Sequence, residues 1–368
     1  MAGPLNRTIV TRFCVIVGLA LLLVSTAFAQ HYMRTDLTTN SSSVSSAPNI
    51  DPNLVNAWGL TRATGSPWWI SDNGTGLSTL YDATGAAQSL VVTIPPPKGE
   101  KGPSAPTGTV FNYTTGFQVA TGDPAIFLFV TEDGTISGWN PNVNLGAAIL
   151  KINRPLEAIY KGCALASTDL GPRLYATNFK TGNVEVYDGQ FQRVWLDEER
   201  FHDPLLPPHF VPFGIQNVGG NIVVTFAQRN PGSKDENHGP GLGYVRVFDT
   251  DGRLLLRVQH GLFLNAPWGI ALAPGDFGPF SHRLLIGNFG NGTIHAFNAL
   301  TGKFVGTVQD PNHHHLVIDG LWALSFAGDS PKNGSATELY FTAGPNDESD
   351  GLFGKITATP GEQRGNSE

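Results

Sequence analysis

One short apolar pattern recurs six times along the chain at a spacing near fifty residues, and it constrains the fold more than any other feature. The copies are Trp58-Gly59-Leu60, Thr107-Gly108-Thr109, Lys161-Gly162-Cys163, Phe213-Gly214-Ile215, Trp268-Gly269-Ile270 and Trp322-Ala323-Leu324. Successive central positions, from Gly59 to Ala323, lie 49, 54, 52, 55 and 54 residues apart. Each copy is followed by a β-rich run, such as Ile126–Thr131 or Leu284–Asn288. A second run then ends in an aromatic with Asp or Asn behind it, as in Tyr81-Asp82, Trp139-Asn140, Tyr187-Asp188, Phe248-Asp249 and Phe297-Asn298. Asp, Asn and Gly at such points accept φ > 0 and bond their own backbone, which is hairpin chemistry. A fourth run closes most units.

Four short antiparallel strands per unit, repeated six times, predict an all-β, six-bladed β-propeller. The blades begin near residues 57, 107, 161, 212, 267 and 321. The two ends are complementary. The sixth unit has three strands, Leu321–Phe326, Leu339–Ala343 and Leu352–Ile356, and Tyr32–Thr39 is available as its fourth. A ring closed in this way leaves no sheet edge exposed at the seam. The expected organisation is a leader over 1–29, the propeller over 30–359 and a polar tail over 360–368.

The leader rests on Arg7 and Arg12 ahead of the apolar run Phe13–Val24, with Ala27-Phe28-Ala29 supplying small residues two apart. This reads as a secretory signal cleaved after Ala29, since the run falls short of the ~20 residues needed to span a bilayer. The expected location is secreted or periplasmic, with no stable membrane insertion after cleavage. Loss of Arg7 and Arg12 takes the formal charge from −7 to −9. That balance disfavours nucleic acid and anionic membranes as partners and is compatible with cations and neutral polymers such as glycans. Cys163 is the one cysteine left, so stability must come from the core and not from an internal disulfide.

In a propeller the connections between blades and the loops joining second to third strands share one face around the axis. Rigid scaffolds concentrate function in such loops. Three long segments fall there: Pro95–Pro106, Leu196–Pro212 and Arg229–Gly243. Asp72, Glu132, Asn178, Asn288 and Glu348 lie in the short hairpins of the same face. They are candidate oxygen donors for Ca²⁺ or another divalent cation, which takes six to eight oxygens. Lys161 and Asp319 are candidates for proton transfer. Asn56, Asn265, His202, His209 and His238 are candidate ligand contacts. No nucleophile elbow, P-loop or zinc-protease spacing is present. Two functions remain open: a propeller binding a glycan, surface polymer or protein on its loop-rich face, and a divalent-metal-dependent hydrolase or lactonase working at the channel mouth.

The strings Asn56-Ala57-Trp58-Gly59, Ser71-Asp72-Asn73-Gly74-Thr75-Gly76, Thr131-Glu132-Asp133-Gly134-Thr135-Ile136-Ser137-Gly138-Trp139-Asn140-Pro141, Leu264-Asn265-Ala266-Pro267-Trp268-Gly269 and Tyr340-Phe341-Thr342-Ala343-Gly344-Pro345 resemble those of an uncharacterised group of exported, mostly bacterial six-bladed propellers. The resemblance covers about Tyr32 to Ala358 and implies fold and export but no assigned activity. Some members of that group end in a PEP-CTERM sorting tail, which has no counterpart here. More distantly, the chain is similar to propellers of the NHL type, whose activities are too diverse for the fold to choose among them.

Overall fold

The computed structural model describes residues 31–360. The expected leader (1–29) and the tail from residue 361 lie outside the described residues. Six antiparallel sheets surround a central axis. In blade one the strands are Ala57–Thr61, Trp68–Asp72, Leu77–Tyr81 and Val92–Thr93; in blade two they are Pro106–Phe111, Phe127–Thr131, Thr135–Trp139 and Ile149–Asn153. Blade three comprises Tyr160–Thr168, Gly171–Asn178, Asn183–Asp188 and Arg193–Val194, and blade four Phe210–Val218, Asn221–Gln228, Gly243–Phe248 and Leu254–Arg257. Blade five comprises Pro267–Leu272, Arg283–Asn288, Ile294–Asn298 and Phe304–Thr307. Blade six takes Leu321–Phe326, Leu339–Ala343 and Leu352–Ala358 from the C-terminal part and Tyr32–Thr39 from the N-terminal part.

The N-terminal strand runs antiparallel to Leu352–Ala358, from Tyr32 opposite Ala358 to Thr39 opposite Leu352, with one irregularity between Asp36 and Thr38. A fifth short strand, Asn49–Ile50, adds in parallel outside it. Blade two carries another addition: its first connection folds into a small hairpin of Gln118–Ala120 with Asp123–Pro124. That hairpin tucks Phe117 and Val119 into the core between blades two and three.

Sequence and packing agree at two levels. Second strands are buried along most of their length, and along all of it in Trp68–Asp72, Phe127–Thr131 and Leu339–Ala343. They are sandwiched between neighbouring blades, so they read as continuous apolar runs and not as an alternation. The aromatic-Asx punctuation marks turns in which the side chain accepts backbone N–H groups. Asp82 accepts from Thr84 and Ala86, Asp188 from Gln190 and Gln192, and Asp249 from Asp251 and Arg253. Such local bonds compete with strand continuation and fix where it stops.

At the axis the six repeated motifs meet. The glycines are required by close approach: a Cβ on Gly214 would stand 2.2 Å from the Trp268 carbonyl oxygen, and one on Gly59 2.3 Å from that of Thr107. Neighbouring blades are also stitched by buried hydroxyls: Thr107 of an inner strand donates to the Tyr160 carbonyl (2.8 Å), and Thr177 and Thr342 of second strands donate to those of Phe213 (2.7 Å) and Trp58 (2.5 Å). What remains of the axial channel, lined by Gly108, Cys163, Ile215, Ile270 and Leu324 among others, is a space of about 30 Å³. Cys163 is buried and unpaired there, with its thiol pushed well above the usual range by burial.

Candidate functional site

The residue ahead of each repeated glycine, or of Ala323 in blade six, projects from the loop-side end of an inner strand. In four blades it is aromatic, namely Trp58, Phe213, Trp268 and Trp322, and these close the channel. Trp58 and Trp322 stack with ring centroids 3.6 Å apart, and Phe289 stacks on Trp322 at 3.8 Å. Trp268 meets both indoles edge-on. Blade three places Lys161 in the same register. Its ammonium lies 5.0 Å from the Trp58 ring centroid, 5.4 Å from that of Phe179 and 5.8 Å from that of Phe213. A buried cation over several π faces is stabilised by their quadrupoles, but it still needs counter-ions.

The counter-ions come from hairpins of three blades. Glu132 of blade two accepts from Lys161 Nζ at 2.6 Å and from Lys234 Nζ at 2.9 Å. Glu236 of blade four approaches Lys161 at 3.9 Å and bonds His238 at 3.3 Å. Glu348 of blade six accepts from Asn56 Nδ2 at 2.6 Å, while the Asn56 Oδ1 accepts from the Trp322 indole at 2.8 Å. Asn73 links Asn56 to Glu132 through two contacts of 3.3 Å. Asn56 holds φ at +47°, a conformation that Asn tolerates better than most residues.

Protonation states follow from this geometry. Burial opposes the charge on Lys161, but Glu132 and Glu236 outweigh it and raise its pKa. Burial likewise opposes ionisation of Glu132, yet Lys161 and Lys234 bring its pKa down to about 2. Both are charged at neutral pH. For Glu348, burial raises the pKa; Lys161 pulls it back, and Glu236 and Glu132 push it up again. His238 is raised by its bond to Glu236.

The structure therefore gathers Glu132, Lys161, Glu348, Asn56 and His238 at one mouth. It keeps the other candidates apart. Asp72 accepts from the backbone and hydroxyl of Thr79 in its own blade (3.0 and 2.8 Å), and burial raises its pKa. Asn178 accepts from the N–H groups of Ile159, Lys180 and Thr181 and donates to Glu185. Asn288 accepts from the Asn265 N–H and donates to the Phe263 carbonyl and the Thr293 hydroxyl. Asn178 and Asn288 are spent on the backbone and side-chain groups of their own hairpins, which need partners, while Asp72 is held through one oxygen by Thr79 and keeps its Oδ1 buried without a partner. The expected oxygen cage of Asp72, Glu132, Asn178, Asn288 and Glu348 is thus not assembled. Among the described residues no group of three or more His, Cys, Asp or Glu is arranged to hold a metal ion.

Asn265 is also a brace, since its Oδ1 accepts from Gly239 at 2.7 Å and ties down the long Arg229–Gly243 hairpin. Asp319 accepts from the Asn346 N–H at 3.0 Å and holds the turn that carries Glu348. His202 is solvent-exposed on the blade-three to blade-four connection. Beside it, Asp203 pairs with Arg246 (2.6 Å) and Arg257 (2.8 Å). His209 lines a cleft of about 390 Å³ on the loop-rich face together with Lys180, Arg229, Ser233 and Lys234. Arg229 fixes one wall by donating to the carbonyls of Phe179 and Lys180.

Sequence reasoning does not single out Lys234 and Glu236 as site residues. Their signal is the hairpin length: a fifteen-residue loop is the one long enough to reach back across the mouth from blade four.

No family model matches the chain. It is 31% identical over 324 residues to "Uncharacterized protein L690" of Acanthamoeba polyphaga mimivirus, spanning 84% of this chain and 82% of that protein. "Uncharacterized protein R648" of the same virus is 31% identical over 327 residues, spanning 86% of this chain and 78% of that one. The chain belongs to the family of these viral proteins. Among solved structures, the PQQ-bound aldose sugar dehydrogenase of Streptomyces coelicolor superposes with a TM-score of 0.53 at 13% identity, covering 90% of this chain and 99% of that one. A glucose dehydrogenase gives 0.53 at 12%, covering 89% and 100%. At such identities the likeness is one of fold.

Proposed function

We propose that this member of the family is a binding propeller, which holds a glycan, surface polymer or protein in the cleft between blades three and four. The observation that carries this reading is the contrast between the cleft and the mouth beside it. Lys161 and Glu132 are buried and neutralise each other, so neither is poised to exchange a proton near neutral pH. The neighbouring cleft is open and offers Lys180, His209, Arg229, Ser233 and Lys234 as polar contacts. Its volume lies within the range of small-molecule sites, about 300–1,000 Å³. The Lys234–Glu132 ion pair anchors the cleft wall to the rigid axis, which lowers the ordering cost of binding. Export is part of this proposal and rests on the Arg7–Ala29 segment.

The test is a glycan array and a cell-wall fraction screen with the mature protein, repeated with Lys180→Glu and Ser233→Tyr. Binding that is lost in both variants, with unchanged thermal melts, supports the cleft. Binding that persists in both, or no binding at all, overturns it. A hydrolytic reading has one observation in its favour: Glu348, with its raised pKa, stands near Glu236 and Glu132 at the mouth. Turnover in an ester and lactone screen that is abolished by Glu348→Gln would favour it.

A further inference from the structure

A second cleft lies on the rim between the outer edges of blades two and three. It arises from a mismatch in strand length. The outer strand of blade two has five residues, Ile149–Asn153, but that of blade three has two, Arg193–Val194. Pairing in blade three stops at Val186–Val194, so residues 183–185 of the third strand have no outer neighbour. The space left is about 410 Å³, lined by Lys151, Arg154, Tyr187, Phe191, Arg193 and Trp195, among others.

Two features distinguish this cleft. Trp195 is 80% exposed, the only exposed tryptophan among the described residues. An exposed indole is an anchor of the kind that binding surfaces use. The Arg193 guanidinium lies 4.5 Å from its ring centroid. Behind both sits Glu185, buried to 1% exposure. It accepts from Tyr160 (2.8 Å), Tyr187 (2.9 Å), Asn178 (2.9 Å), Arg154 (2.8 Å) and Arg193 (2.8 Å). This carboxylate fixes both guanidinium groups in place. Lys151, whose ammonium is 5.3 Å from the Phe191 centroid, has no carboxylate partner among the described residues. Glu157 and Glu185 leave the group of Lys151, Arg154 and Arg193 with a surplus of one positive charge, in a chain whose formal charge is −7.

A flat apolar platform beside preorganised cations matches a ligand with an apolar ring face and a carboxylate on its edge. We propose that this rim cleft is a subsite for an acidic saccharide, a uronic acid unit whose pyranose face lies on Trp195 and whose carboxylate meets Arg193 and Lys151. Arg suits the planar, two-pronged recognition of a carboxylate, and Lys adds a point charge. The overall negative charge does not forbid this, because at physiological salt it is screened beyond about 8 Å. A nucleic-acid strand fits less well, since it needs a row of stacking rings along a basic track, and here one indole is exposed.

The experiment titrates the mature protein with trigalacturonate, its methyl ester and an oligothymidylate, by calorimetry and tryptophan fluorescence. Trigalacturonate is expected to bind, and its Kd to rise about tenfold or more in each of Trp195→Ala and Lys151→Gln. High salt weakens it, and Lys180→Glu, which alters the other cleft, leaves it unchanged. Both altered side chains sit on the rim, and unchanged melts confirm that the fold is intact. Equal affinity for the methyl ester, retention in Trp195→Ala, tighter binding of the oligothymidylate, or no binding of trigalacturonate each overturn the proposal. Loss of trigalacturonate binding in Lys180→Glu alone would move the ligand to the cleft between blades three and four.

Discussion

Replacing Lys161 with Met is the most informative single perturbation of the mouth. The side chain is almost fully buried, and Met is close to it in length and volume, so the change removes a charge without opening a large cavity. The three carboxylates of Glu132, Glu236 and Glu348 then face one lysine, Lys234, which is half-exposed. Breaking a buried pair by removing one partner costs about 3–5 kcal/mol, because the remaining charge is left uncompensated. With an unfolding entropy of roughly 2 cal/mol/K per residue over the propeller, that loss lowers the melting temperature by about 4–7 °C. Glu132→Gln should cost less, since Lys161 keeps Glu236 and the field of Glu348. The double variant Lys161→Met with Glu132→Gln should regain part of the loss, giving a favourable coupling term in the cycle. The pH dependence carries the same sign test. Glu132 is held at about 2 against an ordinary 4.5, so its contribution is complete above pH 4.5 and is lost as the pH falls towards 2. In Lys161→Met the folded-state pKa of Glu132 rises towards its unfolded value, so that acid-side loss shrinks or disappears. Thermal and urea melts of the four proteins between pH 3 and 8 decide the matter. A cost below about 1 kcal/mol for Lys161→Met, the range of exposed pairs, would refute the reasoning.

His295 is buried between the hydroxyls of Thr293 and Thr307, and burial, aided by His315, lowers its pKa to about 4. It is neutral in the fold, so roughly 3 kcal/mol of stability is present above pH 6.5 and is lost as the pH falls to 4; His295→Gln should flatten that part of the melt profile. Gly214→Ala forces a Cβ to 2.2 Å from a backbone oxygen of the next blade. It should cost about 3 kcal/mol, the upper end for overpacking, and a neutral melt would count against the close-approach reading of the axial glycines. Deleting residues 31–39 removes the seam strand and bares Leu352–Ala358 as an edge; concentration-dependent aggregation by light scattering is expected, and a monodisperse propeller would contradict it.

The architecture was legible because a repeat is written locally. Each of the six motif copies, the buried second strands and the aromatic-Asx turns carries its signal within a few residues. The free ends at Tyr32–Thr39 and Leu352–Ala358 were complementary on the page as they are in the ring. Even the anomaly of Lys161 was visible, as a lysine in a register that is aromatic in four other blades.

Which hairpin residues reach the axis was not legible, because it depends on distances that sequence spacing does not contain. Asp72, Asn178 and Asn288 look like Glu132 and Glu348 in the alignment of blades. In the fold, the first three turn back to satisfy backbone or side-chain donors of their own or neighbouring elements, while the last two extend to a buried cation and its asparagine neighbour. Trp195 shows the same limit from outside: its exposure follows from an outer strand that stops after two residues. Local propensity and periodicity set the strands, turns and ring closure. Convergence of side chains from four blades on one lysine is a property of the closed ring, where short-range sterics and charge balance choose among rotamers that the linear chain leaves equivalent.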